Sequence, residues 1–137
     1  MIKFHYRKEA SIISGTVLRP IAEVTLEYNN QRIKVAMYID SGADITIIPL
    51  ETGKALGFKQ NPEDEILEIK GVSGRGVPYI LKKAILIINS KRLNIRLAWA
   101  LIEEVPLLLG RMDIFSKFKI IFDEKHELIT FAPSVEK

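Results

Sequence analysis

Apolar and polar residues alternate with a period of two through Ala22, Val24, Leu26 and Tyr28, with Glu23, Thr25 and Glu27 between them. The pattern resumes at Ile33, Val35, Met37 and Ile39. Residues two apart share one face of a strand, whereas a helix groups residues three and four apart, so this spacing specifies half-buried β-structure. Asn29-Asn30 separates the two runs, and Asn tolerates the backbone of a tight turn. The two runs therefore predict a β-hairpin whose second strand delivers the chain to Asp40.

The same reading extends along the chain. Ala84–Ile88 and Leu93–Leu97 flank Asn89-Ser90-Lys91-Arg92 as a second hairpin, and Lys119–Phe122 pairs with Leu128–Phe131 across Asp123–Glu127. Ile66–Lys70 reads as a strand, and another starts near Tyr79. Leu101-Ile102 and Leu107-Leu108-Leu109 read as buried strand ends. Leu50–Gly57 has room for a single helical turn ended by Gly57, although Gly53 weakens it. Asp113–Phe118 has the apolar spacing of a short helix. Many short strands with few helical segments predict an all-β single domain, a closed barrel or folded sheet with one short C-terminal helix.

Composition narrows the function. The chain has 137 residues, 47% of them hydrophobic, which suits one core. It has no cysteine, which removes disulfides, thiol nucleophiles and cysteine metal sites and fits a reducing compartment. The N-terminal residues lack the apolar stretch of a signal peptide, and no run approaches the length of a membrane helix. A soluble, cytoplasmic protein without membrane contact is expected. The net charge of +3 comes from scattered pairs such as Arg32/Lys34, Lys82/Lys83, Lys91/Arg92 and Lys117/Lys119, a pattern of solvated strand faces rather than a nucleic-acid footprint. His5 and His126 are far apart in sequence, so no metal site is expected, and Trp99 reads as core or interface. No Ser-His-Asp grouping is evident, and Gly71–Gly76 lacks the Lys-[Ser/Thr] of a phosphate-binding loop.

The chemistry concentrates at Asp40-Ser41-Gly42-Ala43-Asp44. Apolar residues press in on both sides, Val35–Ile39 before and Ile45–Ile48 after. Asp-Ser-Gly is also ordinary turn chemistry, but a plain turn has polar flanks. A carboxylate set between apolar strands carries a desolvation cost that hydrogen bonds or function must offset. Amide hydrolysis needs a base to activate water and an acid to protonate the departing nitrogen, and two carboxylates sharing one proton supply both. The chain contains one Asp-Ser-Gly and no second Asp-[Ser/Thr]-Gly. A partner carboxylate must therefore come from another copy, brought up by a twofold axis beside Asp40. In that arrangement Ser41 hydrogen-bonds across the axis and Gly42 allows close backbone approach.

These residues resemble the retropepsins, the retroviral-type aspartic proteases and their stand-alone cellular relatives. Ile39-Asp40-Ser41-Gly42-Ala43-Asp44 is similar to the family's apolar-Asp-[Ser/Thr]-Gly-Ala-[Asp/Glu]. Leu107-Leu108-Leu109-Gly110-Arg111 is similar to its apolar-apolar-Gly-Arg, and Asp113–Phe118 looks like prokaryotic members. The resemblance spans Ile21 to Phe131, with Met1–Pro20 as an N-terminal extension and Pro133–Lys137 as a tail. It implies a homodimeric aspartic endopeptidase that needs no cofactor and acts on an extended peptide or protein substrate.

The resemblance also implies roles for particular residues. Asp40 is the catalytic carboxylate, one per subunit, supported by Ser41, Gly42 and Ala43, with Gly42 offering its carbonyl to substrate backbone. Arg111 pairs with Asp44 beneath the active site as a structural ion pair, the alternative being a surface arginine opening a helix. Gly71, Val72, Ser73, Gly74, Arg75, Gly76 and Val77, running on to Tyr79, form a flap that closes over substrate, the alternative being an ordinary hairpin. Two further functional readings stay open: a catalytically silent peptide-binding module of the same fold, and a basic nucleic-acid-binding β domain.

Overall fold

A computed structural model describes residues 1–70 and 76–134. The strands are β1 (Ile2–His5), β2 (Arg7–Ser11), β3 (Gly15–Arg19), β4 (Ile21–Tyr28), β5 (Gln31–Ile39) and β6 (Thr46–Ile48), followed by the single described helix, α1 (Leu50–Leu56). After it come β7 (Leu67–Lys70), β8 (Gly76–Ile88), β9 (Lys91–Ala100), β10 (Leu108–Leu109), β11 (Phe118–Asp123) and β12 (Leu128–Pro133). Seven strands form one sheet in the order β4-β5-β10-β6-β9-β8-β7, and an added β4–β8 pairing closes six of them into a barrel. The expected all-β barrel is what the chain forms.

The alternation in β4 explains its role: Ala22, Val24 and Leu26 are buried while Glu23 is exposed. Asn29 and Asn30 both take positive φ, 46° and 67°, as a two-residue turn matched to strand twist requires. Asn89, with φ 53°, opens the equivalent turn between Ile88 and Lys91. Both strands of that hairpin run further than the sequence pattern marks, because the residues beyond it pair with the barrel. Among them Ala98, Trp99 and Ala100 are buried.

Helix α1 ends where expected, on Gly57 in the left-handed region at φ 95°. Gly53 inside it also has a reason. A Cβ there would run into the indole of Trp99, whose Nε1 donates to the Leu50 carbonyl at 3.0 Å. The helix thus gives up a methyl group so that the largest core side chain can lie against it.

The short C-terminal helix expected over Asp113–Phe118 does not form. Arg111–Lys117 makes successive turns, with Ile114 and Phe115 N–H groups both donating to the Arg111 carbonyl. Asp113 takes φ 66°, a conformation that interrupts a right-handed helix, and Phe118 already belongs to β11. The apolar spacing that suggested a helix serves burial instead, with Ile114 and Phe118 entering the core.

The N-terminal segment forms three strands. β1 pairs with β12, which also pairs with β11, so β12 lies between two strands of its own chain. Phe131 on β12 is fully buried between Phe4 and Phe118, with ring centroids 5.6 and 5.3 Å away in edge-to-face contact.

Candidate functional site

The end of β5 is gripped from both sides. Ile39 N–H donates to the Pro20 carbonyl at 2.8 Å, and Asp40 N–H donates to the Leu109 carbonyl at 3.0 Å. This fixes Asp40 at the point where the barrel strand becomes a turn. Within the turn, Ala43 N–H donates to the Asp40 carbonyl at 3.2 Å and Gly42 N–H donates to Asp40 Oδ1 at 2.9 Å. Asp40 is half-buried, and Ser41 and Gly42 are exposed. One carboxylate oxygen is therefore oriented by the backbone, on a turn whose tip faces outward.

The second signature meets the first through backbone. β10 runs parallel to β5 and antiparallel to β6, so Leu108-Leu109 is inserted between the strands that enter and leave the Asp40 turn. Beyond it, Arg111 N–H donates to the Ala43 carbonyl and Met112 N–H to the Asp44 carbonyl, both at 2.9 Å. Gly110 N–H donates to the hydroxyl of Thr46 at 3.0 Å. A Cβ on Gly110 would strike the Ile45 carbonyl group, so the two segments approach as closely as only glycine allows.

Thr46 was not singled out by the sequence reading. It is fully buried, and its position as the one hydroxyl in Ile45-Thr46-Ile47-Ile48 was the available signal. A buried hydroxyl in an apolar strand has to find a partner, and here the partner is Gly110.

Arg111 and Asp44 do face each other, as a long and exposed pair in the single chain. Their side chains approach to 4.0 Å and are 60% and 93% exposed within the chain. A pair this long and this exposed is worth about 0–1 kcal/mol within one chain. The stronger tie is made by Asp113, which accepts from Arg96 Nε, Arg96 Nη2 and the Arg96 backbone N–H, each at 2.9 Å. These Arg96 hydrogen bonds hold the Asp113 carboxyl below the ordinary carboxylate range. They anchor the turns after Gly110 to β9.

A cleft of about 510 Å³ opens beside the Asp40 turn, from Gly42, Ala43 and Asp44 across Ile45 and Ile47 to Ile69, Tyr79 and Leu81. Its walls are largely apolar, with Asp44, Lys70 and Arg96 among the lining charges. A larger groove of about 770 Å³ lies elsewhere, between the β4–β5 turn, β8, β9 and Asp113, and includes none of Asp40–Asp44. Asp40 itself does not line this cleft, but Gly42, Ala43 and Asp44 of its turn do, which makes the cleft the candidate for holding substrate beside the constrained carboxylate.

Of the expected flap, Gly71, Val72, Ser73, Gly74 and Arg75 lie outside the described residues. Gly76 and Val77 begin β8 and pair with Lys70 and Ile69 of β7, so the base of this hairpin borders the cleft. Among the described residues no group of His, Cys, Asp and Glu is arranged to hold a metal, and no helix is long and apolar enough to cross a membrane.

Comparison with solved structures places this architecture. A retropepsin-like aspartic protease from Rickettsia conorii is similar with a TM-score of 0.60 at 20% identity, covering 92% of this chain and 98% of that one. EIAV protease, solved with an inhibitor bound, is similar with a TM-score of 0.54 at 19% identity over 68% of this chain and 82% of that one. No family model and no curated protein matches the sequence. The chain has the retropepsin-like fold.

Proposed function

We propose that the protein is an aspartic endopeptidase that works as a homodimer, with water activated between two Asp40 carboxylates. The observation that carries this reading is a single Asp-Ser-Gly whose aspartate is oriented by Gly42 N–H, on an outward-facing turn beside an apolar cleft. One such carboxylate is half of an acid–base pair. The similarity to solved retropepsin-like proteases supports the same reading.

Two carboxylates about 3 Å apart cannot both ionise, so the pair holds one proton. The ionised Asp40 takes a proton from the water between them as its oxygen attacks the scissile carbonyl carbon, and the protonated Asp40 gives its proton to the carbonyl oxygen. Proton transfer to the amide nitrogen then lets the C–N bond break, releasing a carboxylic acid and an amine. Gly42 and the β7–β8 hairpin supply backbone groups to an extended peptide, as a strand adds to an open edge. No cofactor enters these steps. Arg111 and Asp44, adjoining the turn, are assigned to positioning it. The absence of cysteine suits a cytoplasmic setting.

The experiment is cleavage of a diverse peptide library at several pH values by wild type and Asp40→Asn, with pepstatin-type inhibition alongside. Cleavage by the wild type alone supports the reading. Equal cleavage by both removes Asp40 from the chemistry, and silence from a folded dimer favours a peptide-binding module.

A further inference from the structure

The hairpin of β2 and β3 is a sheet of its own: the two strands pair with each other from Arg7↔Arg19 to Ser11↔Gly15 and, among the described residues, with no other strand. At its base the hairpin faces charged groups of the barrel side. Arg7 faces Glu23 at 3.9 Å and Lys8 faces Glu127 at 3.7 Å, both exposed pairs, Arg19 bonds Glu9 across the hairpin at 3.3 Å, and Pro20 follows into the bond with Ile39. Beyond the base, among the described residues, Ala10–Leu18 forms hydrogen bonds only within the hairpin.

The distal part has an unusual composition for a free ribbon. Ala10–Leu18 contains no charged residue, and Ile12 and Ile13 at the tip are 106% and 97% exposed. Tight turns ordinarily select Gly, Asn, Asp or Ser, and exposed edge strands ordinarily carry lysine, proline or inward charges that block pairing. Beyond Arg7, Lys8, Glu9 and Arg19 the edges of this ribbon carry no charge, and its turn sets Ile12 and Ile13 in water ahead of Ser14 and Gly15. Isolated two-stranded hairpins are marginal in water, so such a ribbon is suited to lying against another surface.

We infer that the β2–β3 hairpin is a dimer arm that packs on a second copy of this chain, with Ile12 and Ile13 buried there. The inference rests on the homodimer reading above. In that reading the twofold axis passes beside Asp40, and the arm leaves the barrel at Pro20, bonded to the residue before Asp40. Five residues of strand reach about 17 Å, enough to extend well over a neighbouring subunit. Stable interfaces draw on about 20–30 residues from each partner, far more than the Asp40–Asp44 turn provides, and the arm from Arg7 to Arg19 supplies the kind of surface that is missing. The uncharged tip also favours an apolar protein surface over phosphate groups, since the arm's cations are engaged at its base by Glu9, Glu23 and Glu127.

The test is sedimentation velocity over a concentration series for wild type and for Ile12→Asp/Ile13→Asp, with Ile12→Ser/Ile13→Ser as a milder variant. Thermal melts at a dilution where all are monomeric check the fold. The expected result is a dimer weakened by at least about 100-fold in the aspartate variant, less in the serine variant, with matching melts. Unchanged dimerisation of both variants overturns the arm while leaving the shared dyad intact. A wild type that stays monomeric throughout overturns both. Binding of monomeric wild type to phosphatidylglycerol vesicles, lost in the aspartate variant, would overturn the second copy as occupant in favour of a lipid surface.

Discussion

Gly110 and Thr46 are joined by a buried hydrogen bond of 3.0 Å from the glycine N–H to the threonine hydroxyl, across 64 residues of sequence. This bond couples the segment after β10 to the strand leaving Asp40, so the shape of the turn depends on a residue that takes no part in the proposed chemistry.

Replacing that hydroxyl tests the coupling. Thr46→Val keeps the side-chain shape and leaves the Gly110 N–H without its partner in a fully buried setting. The expected cost is about 1–3 kcal/mol, read as a lower denaturation midpoint in urea. An unchanged midpoint would show that the bond contributes nothing to stability.

Gly53→Ala should run against the ordinary rule. Alanine in place of an exposed helical glycine gains about 1 kcal/mol. Here the added methyl meets the Trp99 indole, and Trp99 is 1% exposed and cannot swing into solvent. A fall in Tm and a shift in tryptophan fluorescence are expected, and a rise in Tm would refute the contact.

The Arg96–Asp113 pair sets a pH dependence. Because the folded-state pKa of Asp113 lies below its ordinary value, the pair's stabilisation is complete above the ordinary aspartate range and is lost as pH falls through the folded pKa. Asp113→Asn keeps a residue that accepts φ 66° while losing the charge. Wild type should melt above the variant at pH 7, with the gap closing below pH ~4. A gap that stays constant down to strong acid would place the variant's effect elsewhere.

How much of this was legible in the sequence follows the range of each interaction. The Asn29-Asn30 turn, the Gly57 cap and the alternation in β4 are local, and local rules found them. The arrival of the chain at Asp40 was legible for the same reason. The turns at Arg111–Lys117 were misread because apolar spacing cannot register the left-handed Asp113, whose carboxylate is held by Arg96 on a strand 17 residues earlier. The pairing of β1 with β12 joins the two ends of the chain and left no local trace. The resemblance implied an Arg111–Asp44 pair; in the single chain the two signatures meet most closely through the Ala43 and Asp44 carbonyls, with the side chains 4.0 Å apart and exposed, a backbone contact that no side-chain motif marks.

The shared dyad is tested most directly by subunit mixing. Wild type and Asp40→Asn are combined at constant total concentration, allowed to exchange, and assayed for peptide cleavage. If each site needs one Asp40 from each of two chains, activity should fall as the square of the wild-type fraction, to about a quarter at equal parts. A linear fall, to half at equal parts, would mean that each chain acts with its own Asp40 alone and would contradict the proposal.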